Sequence, residues 1–147
     1  MTTQGPITSF RGPFGFLSNF YAINDWQKHG LPWPTSEHGF QSKKASFKKG
    51  KLYILAADTA AEAKRRAKED VAKRKDWQDI KEQVMLDCLR IKFSVPYLKR
   101  LLLSTGERIL VEGNHWGDTY WGVCNGVGEN RLGYLLMEVR QELKEAE

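Results

Sequence analysis

A change of texture at Thr35 constrains this chain more than any other feature of its sequence. Before it, Phe10, Phe14, Phe16, Phe20, Tyr21, Trp26 and Trp33 are interleaved with Gly5, Gly12, Gly15 and Gly30. Glycine weakens a helix and bulky rings lose rotamer freedom in one, so this stretch is expected to form short strands and turns. Lys28-His29-Gly30, between Trp26 and Leu31, is expected to make a hairpin turn. After Thr35, apolar residues recur at helical spacing. With both textures, no internal repeat and no linker, residues 1–147 read as one α+β domain, helix-rich, with about five helices and a few short strands.

Thr35 or Ser36 is expected to cap the first helix. Glu37 falls in its first turn, where the dipole favours an anion, and Gly50 is its expected stop. A second helix opens on Thr59-Ala60-Ala61-Glu62, a capping box, and carries the stripe Ala60, Ala63, Ala67 and Val71. Residues this small bury little area and leave Lys64, Arg65, Arg66 and Lys68 facing solvent or a ligand. A third helix, after Asp76 or Asp79, sets Ile80, Val84, Cys88 and Ile91 along one side, widened by Met85 and Leu89, as a central core helix. Pro96 is placed to start another, with Leu98, Leu101 and Leu102 inward and Gly106 as its stop. Ile109-Leu110-Val111 is a strand candidate, followed by a glycine-rich loop from Gly113 to Gly128. Asn130 is expected to cap a last helix carrying Leu132, Leu135, Leu136, Val139 and Leu143.

Several function classes drop out. No window approaches 18 consecutive apolar residues, which excludes a helical membrane span. The start MTTQGPITSF has neither a basic nor an apolar leader segment, so a cytoplasmic location is expected. Two cysteines, Cys88 and Cys124, make neither a disulfide framework nor a metal cluster. His29, His38 and His115 lack ligand spacing, and no metal or cofactor is expected. Gly126-Val127-Gly128 fails the dinucleotide fingerprint at its third glycine, and no phosphate-binding GxxxxGK[ST] loop occurs. Charge is uneven. Between Lys43 and Lys75 stand twelve Lys or Arg against four Asp or Glu, while the other 114 residues carry a net −3. That segment suits phosphate or nucleic acid, although a solvated helix face is the plainer reading.

Two clusters carry chemistry. On a helix, Glu37, Gln41 and Lys44 fall at i, i+4 and i+7, hence on one face, with Glu37 and Lys44 roughly 10 Å apart along the axis. They suit opposite ends of one ligand better than each other. On spacing alone a surface stripe is the simpler reading. The second cluster, Gly113 to Gly122, packs His115, Trp116, Asp118, Tyr120 and Trp121 among three glycines. Indole faces suit a base or sugar, and an aspartate beside them suits proton transfer. An aromatic plug on the core is the equal alternative.

Taken together these residues resemble the NADAR family, the YbiA-like N-glycosidases. The matching stretches are Gly15 to Tyr21 (GFLSNFY), Glu37 to Lys44 (EHGFQSKK) and Arg74-Lys75-Asp76-Trp77 with Lys81 and Met85. Lys92-Phe93, Leu110-Val111-Glu112, Asp118 to Gly122 and Gly128 to Gly133 follow, then Leu136-Met137 and Arg140. They run in family order over nearly the whole chain. Ser94-Val95-Pro96 replaces the frequent Asn-Pro, which touches only the local helix entry.

The resemblance implies hydrolysis of the N-glycosidic bond between a (phospho)ribose and a base or amine. Phosphoribosylamino-pyrimidine intermediates of riboflavin synthesis are one such substrate; ADP-ribose on guanine in nucleic acid is the alternative. The partner expected is thus a small ribosyl or ADP-ribosyl substrate, or nucleic acid held by the Lys43–Lys75 segment, with no membrane. A binding module that only captures ADP-ribose is a third possibility, and the set Glu37, Lys44 and Asp118 weighs against it. By position Lys44 matches the family's nucleophile, and Glu37, Trp77, Asp118 and Trp121 its other pocket residues. Lys44 would form a Schiff base with the sugar, helped by burial and by Lys43. Glu37 or Asp118 would move protons, and Trp77 and Trp121 would stack on the base. Arg11, Ser18 and Asn19 are expected on phosphate or ribose hydroxyls, with a turn as the equal alternative for Ser18-Asn19, and Gln41 and Gly122 complete the contacts. In the alternative mechanism two carboxylates activate water and Lys44 only binds phosphate.

Overall fold

The computed structural model describes residues 4–147; residues 1–3, which head the segment read above for a leader, lie outside the described residues. The chain divides into two compact units: Asn19–Lys92, and the chain up to Ser18 together with Phe93–Glu147.

The unit Asn19–Lys92 holds four helices: α1 (Ser36–Ser42), α2 (Lys48–Leu55), α3 (Ala60–Glu69) and α4 (Trp77–Lys92). α1 packs against the other three. The expected single helix from Thr35 to Gly50 is two. After Ser42 the backbone tightens: the N–H groups of Lys43, Lys44 and Ala45 each bond back three residues, to Phe40, Gln41 and Ser42. Ala45 then makes an antiparallel bridge to Lys73. Gly50 lies inside α2 and stops nothing. A Cβ there would meet the Ala45 Cβ at 3.1 Å and the Val71 Cγ1 at 3.2 Å, so it is a close-packing glycine.

The small stripe of α3 serves that same packing. Ala63 and Ala67 join Ala45, Ile54 and Ala57 in one buried cluster, with Val71 against it. Thr59 caps α3 by accepting the Glu62 N–H at 3.1 Å. α4 is rotated from expectation: Trp77, Met85, Cys88, Leu89 and Lys92 are buried, while Ile91 is 39% exposed. Val84 and Ile91 instead line, with Trp33, Leu55 and Cys88, a cavity of about 570 Å³. Lys28-His29-Gly30 does turn the chain, since the Leu31 N–H reaches the Trp26 carbonyl at 3.0 Å, but strands do not flank it.

In the other unit, Gly12–Leu17 is a 3-10 helix where short strands were expected. Ile7 forms a single parallel bridge with Leu110, its N–H donating to Ile109 and its carbonyl accepting from Val111, both at 2.8 Å. That bridge is all that remains of the expected strand at 109–111. The strands β1 (Gly113–Asn114) and β2 (Val123–Cys124) pair in parallel inside the glycine-rich segment.

α5 (Pro96–Ser104) buries Leu98 and Leu102, whereas Leu101, expected inward, is 37% exposed at the edge of that stripe. α6 (Arg131–Glu145) buries Leu132, Leu135, Leu136 and Val139, and Leu143 is half-buried. Asn130 occupies the cap position of α6 with φ +53°, yet its side chain caps nothing. It accepts the Glu112 N–H at 3.0 Å and donates to the Leu110 carbonyl at 2.9 Å. Among the described residues there are thus six α-helices, one 3-10 helix and one two-stranded sheet, the helix-rich α+β composition expected. No helix among them is long and apolar enough to cross a membrane.

Candidate active site

All seven residues of α1 are buried, although most of them are polar. Burying such groups is unfavourable unless they are bonded, and the bonds are specific. Thr35 caps the helix, accepting the His38 N–H at 3.1 Å and pairing with His38 Nδ1 at 2.7 Å. His38 Nε2 donates to the Ala57 carbonyl at 2.8 Å, tying α1 to the segment between α2 and α3. Asn19 fixes the other side of the same turn. Its carbonyl accepts the Glu37 N–H at 3.0 Å, its Oδ1 accepts the Ser36 hydroxyl at 2.7 Å, and its Nδ2 faces Met85 Sδ at 3.4 Å. Gly39 lets the Trp33 ring lie on α1, since a Cβ there would sit 2.4 Å from Trp33 Nε1.

On this frame Glu37 is 6% exposed and accepts Gln41 Nε2 at 2.7 Å on its Oε2. Lys44 lies just past the end of α1, in the tightened turn, rather than on the helix as its i+7 spacing predicts. Its carbonyl accepts the Arg74 N–H at 2.8 Å, and its Nζ stands 5.8 Å from the Trp77 ring centroid. Trp77 in turn meets Phe40 edge-on at 5.0 Å. Half-burial pushes the Lys44 amine below its ordinary range; Glu37 pulls it back up, and Lys73, Lys64 and Lys81 push it further down. Lys43, expected to help in this, lines the cavity beside Cys88 instead. A buried carboxylate, an amine inclined to lose its proton and an indole face therefore share one end of α1. Such a set can attack an electrophilic carbon, move a proton and stack on a ring.

The remaining expected residues belong to the other unit. Arg11 is exposed at the start of the 3-10 helix, and Ser18 closes it with its N–H on the Gly15 carbonyl at 3.0 Å. Asp118 Oδ1 accepts the N–H groups of Tyr120 at 3.1 Å and Trp121 at 2.9 Å, which orders the chain into Trp121. Trp121 meets Tyr120 edge-on at 4.9 Å. Gly122 is buried, and a Cβ there would lie 2.2 Å from the Glu112 carbonyl oxygen, so its own chain demands glycine. Glu37, Gln41, Lys44 and Trp77 are thus brought together with Asn19 behind them. Arg11, Ser18, Asp118, Trp121 and Gly122 are not part of that unit.

Sequence reasoning missed several supporting groups. His38, a lone histidine without ligand spacing in the sequence, anchors α1. Arg74 matters through its backbone and through Asp76, which takes its guanidinium at 2.9 Å twice and precedes Trp77 directly. The family motif contained both residues without showing why. Asn114 braces the second cluster, with Oδ1 on the Asp118 N–H at 3.0 Å and Nδ2 on the Asp118 carbonyl at 2.8 Å. Lys92, fully buried with its Nζ 5.6 Å from the Tyr21 ring, carries no signal in a hydropathy pattern.

This geometry can be set beside known proteins. The family model described as "NADAR domain" matches residues 8–144. The N-glycosidase YbiA of Escherichia coli (strain K12) is 43% identical over 136 residues, covering 88% of this chain and 82% of that one. The riboflavin biosynthesis protein VVA0006 of Vibrio vulnificus is 41% identical over 135 residues, which span 89% of this chain but 36% of that longer protein. The NMR structure of the E. coli protein YbiA superposes with a TM-score of 0.82 at 39% identity, covering 99% of this chain and 89% of that one. The chain belongs to the NADAR domain family. Its activity is that of an N-glycosidase, a hydrolase of N-glycosyl bonds, on the helix-rich α+β fold of YbiA.

Proposed function

We propose that the chain hydrolyses the bond between ribose and nitrogen in a small phosphoribosylamino compound of riboflavin synthesis, with Lys44 as nucleophile. The observation that carries this reading is Lys44 itself: half-buried, below its ordinary pKa range, and electrostatically coupled to buried Glu37. The substrate class is taken from the relatives named riboflavin biosynthesis proteins.

In the proposed reaction Lys44 first passes its proton to the Glu37 carboxylate, and the neutral amine then attacks C1′. The C1′–N bond breaks, its electron pair stays on the departing nitrogen, and Glu37 supplies that nitrogen's proton. Glu37 then takes a proton from the Lys44 nitrogen and delivers it to O4′ as the C1′–O4′ bond breaks, which leaves a protonated C1′=N Schiff base. Glu37, again a carboxylate, takes a proton from water as the water adds to C1′ and passes it to the Lys44 nitrogen; the C1′–N bond then breaks, the C1′ hydroxyl proton returns to Glu37, and the sugar leaves as its open aldehyde. Trp77 is assigned to the flat base. On the family motif alone, Asp118 is assigned the second carboxylate role, Trp121 a further stacking face, and Arg11, Ser18, Asn19 and Gly122 substrate contacts. The setting proposed is the cytoplasm, where free Cys88 and Cys124 stay reduced.

Nucleic acid is the weaker partner. Arg65, Arg66 and Arg74 of the basic segment are engaged with Glu62, Asp70 and Asp76, which leaves fewer free cations to track phosphates. Borohydride added during turnover should fix a ribose-mass adduct on Lys44, located by peptide mass spectrometry. A wild-type protein that turns over without any adduct would rule out the Schiff base and favour the carboxylate route. Turnover confined to ADP-ribosylated DNA, with steep loss between low and moderate salt, would replace the substrate reading.

A further inference from the structure

One amide at the end of α1 is bonded at only one of its two poles. Gln41 is 3% exposed, and its Nε2 donates to Glu37 Oε2 at 2.7 Å. Its Oε1 is buried and has no hydrogen-bond partner among the described residues. The orientation is fixed by chemistry: a carboxylate oxygen accepts from the NH₂ pole, so the carbonyl pole is the one left over. A buried acceptor without a donor is unfavourable, and a leucine of similar size would avoid the penalty. An amide kept there calls for a donor that arrives with the substrate.

The identity of that donor follows from sequence spacing and the proposed chemistry, on which this step rests. Gln41 stands four residues after Glu37 and three before Lys44, whose carbonyl-side turn its own backbone carbonyl begins by accepting the Lys44 N–H. If Lys44 attacks C1′, the carbon bonded to the reacting centre that carries a hydroxyl is C2′. We propose that Gln41 Oε1 accepts the 2′-hydroxyl of the sugar, which makes Gln41 the residue that selects ribosides over 2′-deoxyribosides. The same bond acts on Glu37. A donor on Oε1 polarises the amide and strengthens the Nε2–H bond to the carboxylate, so the correct sugar also steadies the proton-transfer group. Discrimination by an unpaired buried acceptor is strong, because the analogue lacking the hydroxyl leaves the acceptor orphaned inside the complex.

The test compares kcat/KM for a phosphoribosylamino-pyrimidine and its 2′-deoxy counterpart in wild type, Gln41→Leu and Gln41→Met. The ratio of the two substrates, compared between proteins, cancels the different intrinsic lability of the two sugars. Relative to wild type, the ribo-to-deoxy ratio should fall by about tenfold or more in both variants. A structural role alone would lower both substrates together and leave the ratio in place. A ribo-to-deoxy ratio that is unmoved in both folded variants overturns the assignment. Borohydride trapping on the riboside runs in parallel. Its failure strikes the Lys44 reading, whereas the ratio reports on Gln41 regardless.

Discussion

α1 and α3 pack against each other and are both mostly polar, yet they place their polar groups oppositely. In α3 only Ala60, Ala63 and Ala67 are buried, and outside them Arg65 and Arg66 pair with neighbouring carboxylates. Arg65 meets Glu62 at 2.8 Å and Asp70 at 3.1 Å, and Arg66 meets Glu62 at 3.3 Å. Hydrogen bonds from Arg65 and then Arg66 hold the Glu62 carboxyl down to about 2. α1 takes its carboxylate, imidazole and amide into the interior and leaves one amide pole unmatched. Exposed pairs are inexpensive to keep and add little, while buried polar groups are tolerated only for a return. Charge density marked α3 in the sequence; the site proposed on α1 lies where charge is sparse and buried.

The sharpest way to break this contrast is kinetic. Lys44→Ala should lower kcat by on the order of 10⁴-fold, as loss of a nucleophile does, with the fold intact by circular dichroism. Glu37→Gln, which keeps the side-chain shape, should cost about 10²–10⁴-fold in single-turnover rate. Near-normal turnover in Lys44→Ala would leave α1 with no more chemistry than α3.

A thermodynamic test comes next in size. Thr35→Ala removes the cap of α1 and also the partner of His38 Nδ1, so it should destabilise by about 1–2 kcal/mol in urea unfolding. The matching change in α3, Thr59→Ala, removes a cap only, and its effect should be the smaller of the two.

The α1 start was legible because its cues are local: a cap residue, Thr35, and an acid, Glu37, in the first turn. Its end was not. Lys43-Lys44-Ala45 is an acceptable helical sequence, and the break is imposed by partners some thirty residues away, the Arg74 N–H on Lys44 and Lys73 opposite Ala45. Asn130 misled in the same manner. Residue type predicted a cap, but its amide serves Leu110 and Glu112, about twenty positions earlier. The rotation of α4 escaped because burial of Lys92 contradicts the hydropathy on which a stripe is drawn. At the proposed site, the resemblance to the family motif pointed to Glu37, Lys44 and Trp77, while spacing alone favoured a solvated stripe. What spacing could not contain is burial, and burial of Glu37 and Gln41 is what separates a site from a surface.

Burial of Lys44 also predicts a trade between activity and stability. Its amine is below its ordinary value in the folded chain, chiefly through desolvation, so the folded state disfavours the charged form. The resulting penalty is present in full below the folded-state pKa and fades as pH rises from there to the unfolded value near 10.5. Lys44→Met should therefore melt above wild type at pH 7, and the gap should narrow towards pH 10.5. Calorimetric scans across that range check the sign. Wild-type kcat should rise over the pH range in which folded Lys44 loses its proton.

The smallest expected effect lies where the two helices communicate. Lys64, exposed on α3, is among the cations that push the Lys44 amine down, whereas Arg65 beside it spends its charge on Glu62 and Asp70. Lys64→Gln should move the rising limb of the pH–rate profile slightly to higher pH, because one cation disfavouring protonated Lys44 is gone. Arg65→Ala should leave that limb in place. The Lys64 effect crosses solvent, so it should fade as ionic strength approaches 1 M, where screening acts over about 3 Å. A shift that survived high salt would mean that α3 acts on the site through packing instead of charge. The alanine stripe, and not the lysines outside it, would then be the functional part of the basic segment.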